Sequence, residues 1–88
     1  MANKVSLVGV DAAGGKISGP GKANWTWNGK PISVVGDGVV GHGSGAHAGP
    51  KIANGSSWMS IDGIPVTRAT SKATCNDDAT GSADMYIP

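Results

Sequence analysis

Asn28-Gly29-Lys30-Pro31-Ile32-Ser33-Val34-Val35 returns 34 residues later as Asp62-Gly63-Ile64-Pro65-Val66-Thr67-Arg68-Ala69. Each copy opens on a dipeptide, Asn-Gly or Asp-Gly, that suits a two-residue hairpin turn, because both central residues of that turn need positive φ. Each dipeptide lies between short apolar runs: Trp25 to Trp27 and Ile32 to Val35 around the first, Trp58 to Ile61 and Ile64 to Val66 around the second. Short runs of this kind bounded by turn residues read as strands. The pair of octapeptides therefore predicts two β-hairpins and, with them, an all-β fold.

The repeat extends outward from the octapeptides. Gly15-Lys16-Ile17-Ser18-Gly19 resembles Pro50-Lys51-Ile52-Ala53-Asn54 upstream, and Gly36-Asp37-Gly38-Val39-Val40 lies over Thr70-Ser71-Lys72-Ala73-Thr74 downstream. Gly9-Val10-Asp11-Ala12-Ala13 is a partial third copy of that last piece, and Val5 to Val10 is a further apolar run. Two repeats are too few for a solenoid, so residues 1–88 read as one small pseudo-symmetric domain of hairpin repeats. Gly19-Pro20-Gly21-Lys22-Ala23-Asn24 reads as a turn-rich connection.

Composition agrees and adds a constraint. The 88 residues include 15 Gly and 11 Ala, a single Leu, and no Phe, Glu or Gln, while Val, Ile, Thr and Trp supply 22 positions. The straight-chain helix formers are scarce, β-branched residues abound, and no run approaches the roughly 18 apolar residues of a membrane-spanning helix. A chain this short barely offsets its ordering entropy by burial, so it needs a staple. One Cys excludes an internal disulfide. A metal or a partner surface remains.

Seven basic and six acidic residues give a net charge of +1, with no basic cluster to mark a nucleic-acid partner. The N-terminus lacks the apolar segment of a signal peptide, and a single Cys suits a reducing compartment. His42 and His47 both fall in the glycine-rich stretch Gly41 to Pro50, and Cys75 aligns with Gly41 in the repeat. That alignment places the thiol and the histidine loop at one end of the domain. Imidazole and thiolate together suit Zn²⁺. Spacing alone leaves two readings open: a metal site, or two exposed loop histidines with a small buried cysteine.

Taken in order, Gly36-Asp37-Gly38-Val39, the His42/His47 loop, Gly55-Ser56-Ser57-Trp58, Asp62 to Arg68, Cys75 and Ala79-Thr80-Gly81 resemble the PAAR-repeat family. Pro65-Val66-Thr67-Arg68 is a degenerate form of the family's Pro-Ala-Ala-Arg motif, and the similarity runs from about Val8 to Ser82. The resemblance implies a pointed β-cone that caps the spike of a contractile injection machine, a type VI secretion system or a related phage tail. Its base would sit, one copy per trimer, on the trimeric valine-glycine repeat spike protein or its phage counterpart. Its tip would carry Zn²⁺ and meet the target membrane first and transiently. An effector beside the tip is left open. The implied location is the bacterial cytoplasm during assembly, then the tip of the apparatus or virion tail.

Relatives commonly supply three His and one Cys. This chain has two His, and reads Cys75-Asn76-Asp77-Asp78 where Cys-Gly-His-Pro is usual and Ala13-Gly14-Gly15 where a His precedes Gly-Gly. The implied ligands are His42, His47, Cys75 and Asp77, with Asp78 or water as the alternative fourth. Trp25, Trp27 and Trp58 are expected to pack in the core or at the base, and Met85-Tyr86-Ile87-Pro88 to dock on the domain's own sheet. No nucleophile motif stands out, and a catalytic role is not expected. The alternative to a spike tip is a free-standing zinc module, a carrier or redox sensor.

Overall fold

The structure is a computed structural model and describes residues 3–87, with the side chains of Ala23 and Ala46 left outside that description. Its strands are β1 (Asn3–Lys4), β2 (Ala12–Ala13), β3 (Gly15–Gly19), β4 (Lys22–Trp27), β5 (Lys30–Ile32), β6 (Gly38–Val39), β7 (Ser60–Ile61), β8 (Ile64–Pro65) and β9 (Tyr86–Ile87), with one 3₁₀ turn at Gly45–His47. Among the described residues there is no α-helix, and no helix long and apolar enough to cross a membrane. The fold is all-β, built from short antiparallel pairs: β4–β5, β7–β8, β1–β9 and the three-stranded β2–β3–β6. It measures 32 × 26 × 22 Å.

Both expected hairpins are present. Asn28 (φ 51°) and Gly29 (φ 79°) turn β4 into β5, and Asp62 (φ 54°) and Gly63 (φ 80°) turn β7 into β8. The connection expected at residues 19–24 is shorter than the sequence suggested, because Gly19 ends β3 and Lys22 already starts β4.

The repeat is threefold. Ser6 N–H donates to the Thr67 carbonyl (3.0 Å), Thr67 N–H to Ser33 (2.9 Å), and Ser33 N–H to Ser6 (3.0 Å), closing a ring. A second ring follows, from Val8 to Pro31 (2.9 Å), Val35 to Pro65 (2.9 Å) and Ala69 to Lys4 (2.8 Å). The same rotation relates the turns that follow each strand. Leu7 and Val34 N–H groups are capped by the Asp11 and Asp37 carboxylates, and Arg68 N–H by the Ser71 hydroxyl. Positive φ recurs at Gly9, Gly36 and Thr70. The first copy is therefore complete from Lys4 onward, not the fragment 9–13 alone. It escaped alignment because its turn carries one extra residue before Asp11 and because its hairpin is not contiguous in sequence. β9 pairs with β1 (Lys4 opposite Tyr86, Asn3 opposite Ile87), as β7 pairs with β8.

Alternate residues of the three ring strands face opposite ways. Val5, Leu7, Ile32, Val34 and Val66 enter one core with Ile61, Ala83 and Ile87. Val8 and Val35 pack against a second core of Ala13, Ile17, Val39, Ile52, Ala73, Cys75 and Ala79. The ring strands thus separate a hairpin end from a loop end. Buried Ile87 docks the C-terminal segment as expected; Pro88 lies outside the described residues. Of the tryptophans, only Trp27 packs against the core. Trp25 is 52% and Trp58 70% exposed, so of the two expected placements, core or base, neither takes the core. Trp27 takes the core-facing position of β4, while Trp58 sits on a bend before β7.

Candidate metal centre

The threefold relation places three connections side by side at the loop end: residues 14–16 after Ala13, 40–51 after Val39, and 74–78 after Ala73. The shortest is a tight turn at Gly14 (φ 85°) between β2 and β3. The longest is closed by His42 N–H donating to the His47 carbonyl at 2.8 Å, with His47 N–H on Ser44 and Ala48 N–H on Gly45 inside it. This closure brings the two imidazoles together, ring centroids 4.9 Å apart in an edge-on arrangement. Gly41 must be glycine, because a Cβ there would stand 2.5 Å from the Ala48 carbonyl oxygen. The third connection curls through Asn76 (φ 71°), with Asn76 N–H on Ala73 and Ala73 N–H on the Asp77 carbonyl. That curl turns Cys75 and Asp77 to the same side, and Thr74 N–H on the Lys51 carbonyl ties the loop to its neighbour.

Four side chains converge as a result. Ligand atoms of His42, His47, Cys75 and Asp77 all lie within 4.8 Å of one another. His42 Nε2 is 2.8 Å from Asp77 Oδ2, 3.0 Å from His47 Nδ1 and 3.7 Å from Cys75 Sγ. Asp77 Oδ2 is 3.5 Å from His47 Nδ1 and 3.4 Å from Cys75 Sγ. Four atoms placed tetrahedrally at zinc–ligand distances around one point stand about 3.3–3.6 Å apart. Five of the six separations, from 2.8 to 3.7 Å, scatter about that edge length, and the sixth, between His47 and Cys75, lies within 4.8 Å.

The donor chemistry fits a cation as well as the spacing does. His42 Nδ1 lies 3.1 Å from the Val40 carbonyl, to which it can only donate. In the neutral ring Nε2 then carries a lone pair and faces the Asp77 carboxylate, acceptor against acceptor. Only a proton or a metal ion between them relieves that, and a ligand histidine with its second nitrogen on a backbone carbonyl is the usual outer-shell arrangement. With a proton, the Val40 carbonyl and then the Asp77 carboxylate hold His42 above its ordinary pKa of 6.5. Reciprocally, the hydrogen bonds from His42 and then Cys75 hold Asp77 below its ordinary 3.8.

Cys75 is buried in the loop-end core, whereas His47 and Asp77 keep 42% and 38% of their side chains exposed. The four residues can hold a metal ion. Asp78, the alternative fourth ligand, instead pairs with Lys72. The Val40 carbonyl had no signal in the sequence, because any residue has one; Gly14 and Gly15 stood out there only as the pair that no His precedes, whereas their lack of side chains leaves space for His42 and Asp77. The register of the first copy would have pointed to Gly14, since it faces the other two ligand loops.

No family model matches this chain, and no curated protein matches it.

Proposed function

We propose that this chain is a spike-tip protein of the PAAR type, a metal-stiffened cap for a trimeric β-helical spike of a contractile injection machine. The observation that carries the reading is the internal threefold order of a single chain, seen in the closed ring of Ser6, Ser33 and Thr67. A threefold end presents three identical docking positions. A cap with three equivalent copies of one motif meets each of them alike, and one chain suffices per trimer.

The two ends suit the two tasks. Met59 and Met85, two residues before Ile61 and Ile87, pack on the outside of the hairpin-end core, and Trp25, two residues before Trp27, lies exposed at the same end. A groove of about 540 Å³, lined by Trp58, Met59, Ser60, Met85, Tyr86 and Ile87, opens on that side. This is the base in the proposal. The loop end is the tip, where His42, His47, Cys75 and Asp77 would hold Zn²⁺, the ion best suited to a mixed nitrogen, sulfur and oxygen tetrahedron. Zinc there supplies no reaction. It crosslinks the glycine-rich loop 40–51 to the short loop 74–78, and the four residues are used up as ligands.

Copurification with the cognate trimeric spike tests the proposal. Native mass measurement is expected to give one chain per three spike chains, and Trp25→Asp with Met59→Asp is expected to abolish the complex. Absence of binding at micromolar concentration would sink it. The exposure of His47 and Asp77 favours one second reading, a free-standing module that exchanges its metal. A carrier gives up zinc from the folded state, whereas a structural site loses it only as the fold melts.

A further inference from the structure

Gly14 lies on the one connection that supplies no ligand, yet it presses on two of them. A Cβ built at Gly14 would stand 2.5 Å from His42 Nε2 and 2.8 Å from His42 Cε1, and closer still to Asp77 Oδ2. Real Cβ atoms do not approach so near, so something must move when position 14 carries a side chain. His42 has less room to give, since its Nδ1 is held by the Val40 carbonyl at 3.1 Å and only 20% of its side chain is exposed. Asp77 has more, because its side chain is 38% exposed and its carboxylate can swing toward water.

We infer that Gly14 decides the coordination state of the centre: the missing side chain lets the Asp77 carboxylate complete a closed four-ligand site. A side chain at position 14 evicts it and leaves His42, His47 and Cys75 with one position open to an exogenous ligand. The inference rests on the metal reading above. It matters because three protein ligands plus an open position is the arrangement of a reactive or exchanging zinc centre, whereas four is that of a structural one. The loop that supplies no ligand therefore still controls the chemistry, by staying empty.

The test compares wild type, Gly14→Ala, Asp77→Ala, the double variant and Gly63→Ala. The last is a control for strain alone, since Gly63 shares the positive φ (80°) but has nothing within 4 Å of its would-be Cβ. Zinc affinity is read by chelator competition, and access to the metal by titrating azide into the cobalt-loaded proteins and following the visible spectrum. Gly14→Ala is expected to weaken zinc binding about 10- to 100-fold and to make the cobalt spectrum respond to azide. Asp77→Ala should do the same, and the double variant should be no weaker than the worse single, because both act through one carboxylate. Gly63→Ala should match wild type, whose spectrum ignores azide.

Wild-type affinity and an unresponsive spectrum in Gly14→Ala would overturn the inference, as would losses that multiply in the double variant. If Gly14→Ala does not fold, Asp77→Ala still decides, since a spectrum closed to azide there contradicts the open position. A wild-type protein that binds neither zinc nor cobalt would instead defeat the metal reading itself.

Discussion

The hairpin end and the loop end grow from the same three repeats and have diverged to different degrees. At the hairpin end the copies agree residue by residue: Val5, Ile32 and Val66 fill equivalent core positions, and β1–β9, β4–β5 and β7–β8 are equivalent pairs. At the loop end the equivalent connections run to 3, 12 and 5 residues (14–16, 40–51 and 74–78), and little beyond Lys16 and Lys51 is shared between them. The difference follows from where the hydrogen bonds are. Ring strands must each satisfy a neighbour on both sides, so a change in one copy costs the other two. The backbones of the connections bond to one another near their ends, through Val40 on Lys16 and Thr74 on Lys51, and between those ties they are free to vary. Ligands collect where the symmetry is allowed to break.

Removing metal should separate the two ends most sharply. If zinc is held at a thousandfold excess over its dissociation constant it contributes about 4 kcal/mol, and in a domain this size that corresponds to a melting shift of roughly 20 °C. Chelation is expected to produce a fall of that order in calorimetry, and Cys75→Ser a comparable one. Next in size are the two cores. Ile32→Ala at the hairpin end and Ile52→Ala at the loop end should each cost about 2–5 kcal/mol, since both side chains are almost fully buried. Only Ile52→Ala should also weaken zinc binding, and equal effects on zinc would erase the distinction between the ends.

The ring that joins them should show a smaller effect. Ser33 Oγ and Thr67 Oγ1 are hydrogen-bonded at 3.1 Å in a buried setting. Ser33→Ala or Thr67→Val alone should cost about 1–3 kcal/mol in denaturant titration, and the double variant less than the sum, because no polar atom is then left unpaired.

Metal-free protein offers a test of sign. His42 is held above 6.5, so its pairing stabilises the fold below that value and is lost as pH rises through the raised pKa. Asp77 is held below 3.8, so its contribution is present above that value and lost as pH falls through the lowered pKa. Together they favour the metal-free fold between about pH 4 and 6.5. Metal-loaded protein should behave oppositely, losing stability on acidification as protons compete for the ligands. Melting curves against pH, with and without chelator, would show parallel profiles if the cluster binds no metal. The least effect is expected from the surface pair of half-buried Lys22 and exposed Asp62, 3.6 Å apart, where Asp62→Asn should change stability by about 1 kcal/mol or less.

Much of the hairpin end was legible in the sequence, because Asn28-Gly29 and Asp62-Gly63 carry their conformational requirement in their residue types. The third copy was not, since its outer strand comes from Tyr86 and Ile87 at the far end of the chain, and no local pattern joins Lys4 to Tyr86. Of the site, His42, His47 and Cys75 were visible as the few residues able to bind a transition metal, and Asp77 entered through resemblance. The hydrogen bond from His42 to Val40 and the space left by Gly14 depend on where the backbone runs, and one residue type does not reveal that. Trp58 is a related case: its residue type suited core and base alike, and its place on the bend before β7 leaves it 70% exposed.

Everything proposed for the loop end depends on one centre with one sulfur ligand, and X-ray absorption at the zinc edge of the purified protein reads it directly. The expected spectrum is that of one zinc per chain with a single sulfur at about 2.3 Å and three nitrogen or oxygen ligands at about 2.0–2.2 Å. A coordination shell without sulfur, or a protein that takes up no zinc at equimolar concentration, would contradict the account.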